Sequence, residues 1–466
     1  MNAVSVLPRA AGRPVRAAAS AAHRWIDDSR KAPLLTLLVW TLIVLMIVPE
    51  GFDYKSLSSN AMPASGGAVS RLLWLGLLGG GLLVLVWRSA LAWLLFSRLN
   101  LFFLIFLVLA TASIAWSIEP AVTTRRMIRL YTVVGVGAAF TLACWHERRY
   151  QQLMRPVLTA MLAGSIVFGM LYPTLAIHQS TSYELAGAWR GLTNHKNTLG
   201  AISSITAIFW FHAWLAREVR PLTALFCGAI AMTTLLLSRS STALVTTLFV
   251  FGLLLMLLRS PPNLRRWMPL IITLFVAALL TYALAVLRLV PGTDLLLKPI
   301  VMITGKDLTF TGRSDIWALL NEHIRFSPLL GSGYGAYWTG PIPGSPSYVM
   351  MQKLHFYPGS AHNGYLEIVN DLGALGLLCL GGYLLTHVAQ SLALLRIDRN
   401  QAALFLALFF QQAVSNLSET HWLSVMNVDF VIVTLASFAL ARAHLQSDLR
   451  RYFGEPQPAP SPTRAS

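Results

Sequence analysis

Long runs of apolar side chains alternate with short polar connections along most of this chain. A helix needs roughly 17 or more apolar residues to cross the hydrocarbon core of a bilayer. Windows of that kind fall at residues 33–49, 70–87, 99–116, 127–145, 154–173, 197–216, 221–237, 241–258, 267–289, 366–394, 400–417 and 424–443. The pattern therefore predicts an all-α polytopic membrane protein with about twelve transmembrane helices.

One long polar stretch, rich in glycine and proline, interrupts this pattern. It divides the chain into five predicted parts. They are a basic N-terminal tail at residues 1–32, transmembrane helices 1–9 at 33–289, a large outer loop containing short helices at 290–361, transmembrane helices 10–12 at 362–445, and a disordered tail at 446–466.

Composition supports the membrane class, because 55% of the 466 residues are hydrophobic and only 12% are charged. These values exclude a soluble domain. The net charge of +17 would suit a nucleic-acid-binding protein. Most of the 36 lysine and arginine residues, however, fall in the two tails and the even-numbered connections. The positive-inside rule then puts both termini in the cytoplasm and favours membrane lipid over nucleic acid as the partner.

The three cysteines, Cys144, Cys227 and Cys379, lie inside or at the ends of apolar runs, which suits small buried side chains. They predict neither a disulfide framework nor a metal cluster. The glycine-rich run at residues 331–335 lies in the loop rather than in a βαβ unit, so a dinucleotide-binding motif is rejected. The sequence therefore predicts no metal site and no cofactor.

Three groups of charged residues depart from the positive-inside pattern. The first group, Arg125, Arg126 and Arg129, enters the fourth predicted span from the outer side. Arg125 and Arg129 share a helix face and could together hold a dianionic group. The alternative, that these side chains reach out to lipid headgroups, remains open.

The second group, Arg190, His195 and Lys196, stands at the mouth of the sixth predicted span. Thr193 or Asn194 could cap the helix that follows, and the amides of a helix N-terminus attract anions. A ligand-binding role for the three charged residues is one interpretation, and simple capping with interfacial anchoring is the other.

The third group lies at the two ends of the long loop, with Arg313 and Asp315 near its start and His362 at its end. Asp315 could hold Arg313 in place, or the two could be a purely structural ion pair. His362 stands at the aqueous edge of an apolar span, where a neutral imidazole can accept a proton at neutral pH. From position alone, a structural role for this histidine stays open.

Arginines around one site favour a phosphate or pyrophosphate ligand, because the guanidinium group pairs with its oxygens in a bidentate way. Outer-side acidic residues are few and form no paired motif such as Asp-x-Asp, so a divalent cation is not expected to hold the pyrophosphate. A lipid-linked pyrophosphate suits a site that opens to both bilayer and water.

Several motifs in residues 100–380 together resemble the O-antigen ligase and polymerase superfamily, above all its exopolysaccharide-polymerase-like branch. They are Trp116-Ser-Ile-x-Pro120, Arg190-Gly-x-x-x-His-Lys-Asn-x-Leu-Gly200, Thr311-Gly-Arg-x-x-Ile-Trp317, Pro328-Leu-Leu-Gly-x-Gly-Tyr-Gly335, His362-Asn-x-Tyr-Leu-Glu367 and Gly373-x-x-Gly376.

The resemblance implies a glycosyltransferase of the bacterial inner membrane that acts in the periplasm without a metal. Its donor would be a glycan on undecaprenyl pyrophosphate, and its acceptor either another glycan or lipid A core. By motif, it implies that His362 is the base and that Arg313 and Arg190 bind the pyrophosphate. Arg125, Arg126 and Arg129 correspond only by context.

The mechanism that we expect is a single displacement with inversion, in which His362 takes a proton from the acceptor hydroxyl. His195 and Lys196 are further candidates for binding substrate, and Tyr334 could stack on a sugar ring or simply anchor the interface. Other polysaccharide-assembly proteins are conceivable partners. A polymerase is favoured over a ligase. A transporter for a polyprenyl-linked sugar, which should carry broken helices or ionisable groups near the bilayer midplane, is a more distant alternative.

Overall fold

The computed structural model describes residues 33–47, 52–53, 58–59, 68–143, 145, 148–179, 185–286, 313–424 and 427–453. Both predicted tails, except residues 446–453, and the first part of the predicted outer loop lie outside these residues.

The described chain is helical apart from two two-residue strands, β1 (Phe52–Asp53) and β2 (Ser58–Ser59), which pair antiparallel. The helices are α1 (Pro33–Ile47), α2 (Ala68–Trp87), α3 (Ser89–Arg98), α4 (Leu101–Ala112), α5 (Pro120–Ala143), α6 (Arg149–Leu171), α7 (Pro173–Ala176), α8 (Lys196–Leu215), α9 (Pro221–Leu237), α10 (Ser241–Arg259), α11 (Pro262–Arg265), α12 (Met268–Val286), α13 (Arg313–Ile324), α14 (Tyr348–Leu354), α15 (Gly364–Leu394), α16 (Arg399–Ser415) and α17 (Val428–Phe453), with a short 3₁₀ turn at Ser113–Ala115.

Six of the described helices are long and apolar enough to cross a membrane, namely α5, α6, α8, α10, α15 and α17. A seventh crossing results if α2 and α3, which meet at an angle of 100°, form one broken span. Shorter apolar helices lie in α1, α4, α9 and α12. The all-α multi-pass architecture is thus confirmed, whereas the number twelve and the domain boundaries stay predictions.

The centre of the molecule is formed by α5, α8, α16 and α17, whose side chains are mostly buried. By contrast, α10 buries only 39% of its apolar window and leaves the rest for lipid. Small residues let neighbouring helices approach closely, as expected where packing rather than the hydrophobic effect drives association. A Cβ atom on Gly81 of α2 would lie 2.9 Å from the carbonyl carbon of Gly135 in α5.

Helix α15 is broken nine residues after it begins, at Gly373, where φ is +62°. That conformation is costly for a residue with a side chain. A Cβ atom on Gly373 would also lie 2.3 Å from the carbonyl carbon of Leu329. Glycine is therefore required both by the backbone angle and by the close approach of the neighbouring chain.

The neighbouring chain is the glycine-rich segment 328–335, which satisfies the backbone groups that the break frees. The amides of Ser332 and Gly333 donate to the carbonyls of Asn370 and Asp371, each at 2.9 Å. On the other side of the break, the amide of Ala374 donates to Pro328. Gly331 packs against Asp371 of α15, Gly333 against Ser117 and Gly335 against Arg126. Close packing therefore accounts for a glycine spacing that could be mistaken for a nucleotide-binding motif.

Candidate active site

His362 directly precedes α15, in a backbone held from several sides. Its φ is +47°, which histidine adopts rarely. The next residue, Asn363, caps the helix by accepting hydrogen bonds from two of its first amides at 3.0 Å. The preceding residue, Ala361, donates its amide to Glu367 at 2.8 Å and accepts the indole N–H of Trp317 at 2.9 Å. These contacts fix the backbone that carries the imidazole.

The side chain of His362 contacts a carboxylate that joins four residues into one group. Nδ1 of His362 lies 3.5 Å from Oε2 of Glu419. The other carboxylate oxygen accepts from Nη2 of Arg313 at 2.9 Å and from Nδ2 of Asn197 at 2.7 Å. Arg313 also donates to the carbonyl of Ser418. We call His362, Glu419, Arg313 and Asn197 the histidine cluster.

Glu419 is ionised across the physiological pH range. Burial alone would raise its pKa, but the contact with His362 and the charge of Arg313 outweigh burial and lower the pKa to about 2. The negative charge of Glu419 therefore lies 3.5 Å from Nδ1 of His362 and favours a proton on that nitrogen. With the imidazole proton on Nδ1, the basic atom of the ring is Nε2.

Two sequence hypotheses about polar partners are wrong in detail. The partner of Arg313 is Glu419, 106 positions away, rather than Asp315, because α13 begins at Arg313 and packs its first turn against the segment after α16. Helix α8 is capped by His195, whose Nδ1 accepts the amide of Asn197 at 3.2 Å, rather than by Thr193 or Asn194.

His195 borders the histidine cluster, and Lys196 follows it at the first position of α8. Burial lowers the pKa of His195 to about 4, opposed by Glu419 and assisted by the positive field of His362, Lys196 and Arg313. The amide of Lys196 donates to Nε2 of His178 at 3.2 Å. Two imidazoles thus accept hydrogen bonds from amides at the start of α8. From the sequence alone, these amides were candidates for binding an anion.

Arg190 lies in the loop that leads to α8 and is only 7% exposed. Its Nε donates to the carbonyl of Leu175 at 2.8 Å. Next to it, Gly191 has a φ of +56°, and a Cβ atom there would lie 2.6 Å from that of Ser165. These contacts show that Arg190 holds the loop together. They do not test its predicted role in binding substrate, which stays a prediction.

A cavity lies beside the first turns of α15, where Glu367 and Asp371 stand. It is lined by Arg126, Tyr334, Glu367, Ile368, Asp371, Trp422, Leu423 and Ser424, and we call it the carboxylate cavity.

Arg126 is held in this cavity by close packing. A Cβ atom on Gly335 would lie 2.3 Å from its Cδ, and its Nη2 donates to the carbonyl of Trp338 at 3.2 Å. The amide of Gly335 donates to Asp371 at 2.8 Å. Because two buried carboxylates share the cavity with Arg126, the arginine balances internal charge as well as facing the open space.

The other candidate residues have different surroundings. Tyr334 is 3% exposed, packs edge-to-face on Phe106 and donates its hydroxyl to the carbonyl of Leu423, so its ring is part of the core. The guanidinium of Arg129 lies 5.3 Å from the ring centre of Trp74. Arg125 is partly buried, and its Nε has no hydrogen-bond partner in the described part of the chain.

Sequence comparison identifies the family to which this chain belongs. The family model described as O-Antigen ligase matches residues 225–381. The chain is 31% identical over 329 residues to the Exopolysaccharide production protein ExoQ of Rhizobium meliloti (strain 1021), an alignment that covers 66% of this chain and 70% of the relative. The chain belongs to the O-antigen ligase superfamily, on its exopolysaccharide side. It is therefore a membrane protein of polysaccharide assembly, of the ligase and polymerase type.

The segment matched by the family model contains Arg313, His362 and Glu367 but not Glu419 or Asn197. The last two residues complete the histidine cluster from outside that segment. Neither Glu419 nor Glu367 was among the site residues predicted from the sequence. Asn197 follows Lys196 in the motif that runs from Arg190 to Gly200, and that motif is the signal in the sequence that pointed to its neighbourhood.

Proposed function

We propose that this protein is a polysaccharide polymerase, transferring a glycan from undecaprenyl pyrophosphate to a hydroxyl group of an acceptor glycan. The observation that carries the proposal is the histidine cluster. It combines a base, an ionised carboxylate behind the base and an arginine within one group of contacts. The carboxylate is what turns a histidine at a helix start into a competent base, because it stabilises the imidazolium that forms.

In the mechanism that we propose, Nε2 of His362 removes the proton from the acceptor hydroxyl. The oxygen attacks the anomeric carbon as the bond from that carbon to the pyrophosphate oxygen breaks. Undecaprenyl pyrophosphate leaves with the electron pair, and the configuration at the anomeric carbon is inverted. Glu419 holds the imidazole in orientation and balances the positive charge that it gains.

Arg313 is the residue that we assign to the pyrophosphate. Its guanidinium has further donors beyond those used with Glu419 and Ser418, and a pyrophosphate carries more negative charge than one carboxylate. Lys196 and Arg190 add positive charge on the side of α8, and Arg126 does so from the carboxylate cavity. Fixed cations of this kind can stabilise a leaving group without a metal ion.

The helix ends support a site at one face of the membrane. Asn197 stands at the start of α8, His362 at the start of α15 and Glu419 after the end of α16. With the positive-inside distribution of arginine and lysine, this face is the periplasmic face of a bacterial inner membrane, and both termini are cytoplasmic. A lipid-linked donor reaches such a site from the bilayer, and a glycan acceptor reaches it from water.

Two alternatives follow from the same geometry. A ligase would use the same chemistry with lipid A core as acceptor. The relative from Rhizobium is named for exopolysaccharide production, which favours a polymerase over a ligase. A transporter would use the break in α15 to bind its cargo. The carbonyls of Asn370 and Asp371 at that break already accept amides of segment 328–335, which leaves them engaged within the protein.

The experiment that tests the proposal uses the purified full-length protein in EDTA with a lipid-pyrophosphate-linked oligosaccharide as donor. A second lipid-linked oligosaccharide and lipid A core are offered as separate acceptors. We expect a longer lipid-linked glycan with inverted linkage. Label on lipid A core would establish the ligase instead, and uptake into vesicles without any transfer would replace the proposal with the transporter.

A further inference from the structure

The two imidazoles at the start of α8 each have a fixed tautomer. Nδ1 of His195 accepts the amide of Asn197, so it carries a lone pair, and the single proton of the neutral ring is on Nε2. His178 has the mirror arrangement, because its Nε2 accepts the amide of Lys196 and its proton is on Nδ1. The two rings meet edge to face, 5.4 Å apart.

Both rings are neutral at physiological pH. Burial lowers the pKa of each ring to about 4. Nearby His195, Arg190 and Lys196 lower the pKa of His178 further. For His195, Glu419 raises the pKa, while His362, Lys196 and Arg313 lower it. A proton on Nδ1 of His195 would also displace the amide hydrogen bond that caps α8. Helix capping thus opposes protonation and selects the N–H at Nε2.

The two histidines differ in what they face. The ring of His195 interacts electrostatically with Glu419, His362 and Arg313, all members of the histidine cluster. Its Nε2 makes no hydrogen bond with the chain as far as it is described. The ring of His178 interacts with His195, Arg190 and Lys196. His178 is therefore a suitable control, because its ring also accepts an amide at the start of α8 but does not interact with the histidine cluster.

We propose that His195 is a neutral hydrogen-bond donor, which binds the pyrophosphate of the lipid-linked donor through Nε2–H and acts neither as a base nor as a cation. The inference rests on the proposed function of the histidine cluster. An imidazolium at this position would be drawn to the carboxylate of Glu419, as Arg313 is. A neutral N–H stays available for the negative charge that grows on the leaving oxygen.

The first test is nitrogen NMR of the full-length protein, labelled with ¹⁵N-histidine, at pH 7 with and without inorganic pyrophosphate. His195→Ser and His178→Ala assign the two signals. We expect a neutral ring with its proton on Nε2 for His195, and we expect pyrophosphate to shift that signal but not the signal of His178. An imidazolium, or a proton on Nδ1 of His195, would overturn the inference.

The second test separates donation from capping. His195→Ser keeps an N-cap oxygen but removes the N–H, so we expect pyrophosphate affinity and turnover to fall about 10- to 100-fold with the melting temperature retained. His178→Ala removes the acceptor for the amide of Lys196 but does not alter the histidine cluster. Pyrophosphate affinity and turnover of this variant should stay close to wild type. An equal loss in His178→Ala would mean that capping explains the effect, and the inference would fail.

The outcomes also distinguish this inference from the proposed function. If pyrophosphate binding depends on His195 but no lipid-linked donor is turned over, the polymerase is refuted and the anion site stands. If polymerisation proceeds unchanged in His195→Ser, the polymerase stands and the role of His195 is refuted.

Discussion

Glu419 connects the parts of the candidate site at the scale of single residues. One oxygen faces Nδ1 of His362, and the other accepts from Arg313 and Asn197. A buried carboxylate needs such partners, since leaving it unpaired would be costly. The same contacts give it a chemical task, because they put a permanent negative charge behind the proposed base.

We predict that Glu419→Gln lowers kcat by about 10²-fold, the lower end of what a positioned base contributes. The amide keeps the shape of the side chain but cannot balance an imidazolium. Transfer of a labelled glycan between lipid-linked oligosaccharides measures the effect, with the melting temperature as a check on folding. Glu322→Gln, at an exposed carboxylate paired with Lys353, is the matched control and should behave as wild type. Equal rates for both variants would remove Glu419 from the mechanism.

The sequence was sufficient to predict some of these site residues and not others. His362 and Arg313 stand in compact motifs at the two ends of a long loop, where the switch from polar to apolar residues marks them. Glu419 lies in a short connection without a motif, and only the folding of α13, α15 and α16 brings it to them. Arg126 and Arg129 are three residues apart, yet one lines the carboxylate cavity and the other stacks over Trp74.

At the scale of elements, the break in α15 sets the geometry of the site. The nine residues from Gly364 to the break form a short helix that starts at the N-cap Asn363 and presents Glu367 to the amide of Ala361. Hydrophobicity predicted a continuous span at residues 366–394, because Gly373 and Gly381 look alike in an apolar run. Their surroundings differ, because segment 328–335 packs against Gly373 and nothing lies within 4 Å of a Cβ on Gly381.

We predict that Gly373→Ala destabilises the protein and impairs transfer, whereas Gly381→Ala does neither. At Gly373, φ is +62° and ψ is −157°, a conformation that costs alanine about 1–3 kcal/mol, and the added Cβ would also collide with the backbone of Leu329. A Cβ on Gly381 meets nothing within 4 Å. Melting in detergent and the transfer assay provide the comparison. A Gly373→Ala protein with unchanged melting and rate would show that the break is dispensable.

At the scale of the whole molecule, the site is assembled from parts of the chain that are far apart in sequence. Arg126, Asn197, Arg313, His362 and Glu419 come from five different segments, and the apolar helices between them hold those segments at one end of the bundle. Hydropathy predicted the positions of the apolar helices well because burial in lipid acts on each run separately. The number of membrane crossings is harder to predict from hydropathy, because α1, α4, α9 and α12 are short.

The predicted topology has a sharp test at α12, which the twelve-span prediction counts as a crossing. In a protein whose three native cysteines are replaced by alanine, we introduce Asn263→Cys before α12 and Gln352→Cys after it, both at exposed positions. An impermeant maleimide applied to cells with a permeabilised outer membrane should label only the cysteine at position 352. Labelling of both or neither before lysis would mean that α12 does not cross, and the twelve-span topology would be wrong.

The central claim is that His362 is the base of a glycan transfer, and the most direct measurement compares two histidines with similar backbones. His362 and His355 have φ angles of +47° and +59°, which asparagine tolerates, so His362→Asn and His355→Asn disturb the fold equally little. We predict that transfer between lipid-linked oligosaccharides falls by about 10²-fold or more in His362→Asn and is unchanged in His355→Asn. A folded His362→Asn protein that transfers glycan at the wild-type rate would contradict the account.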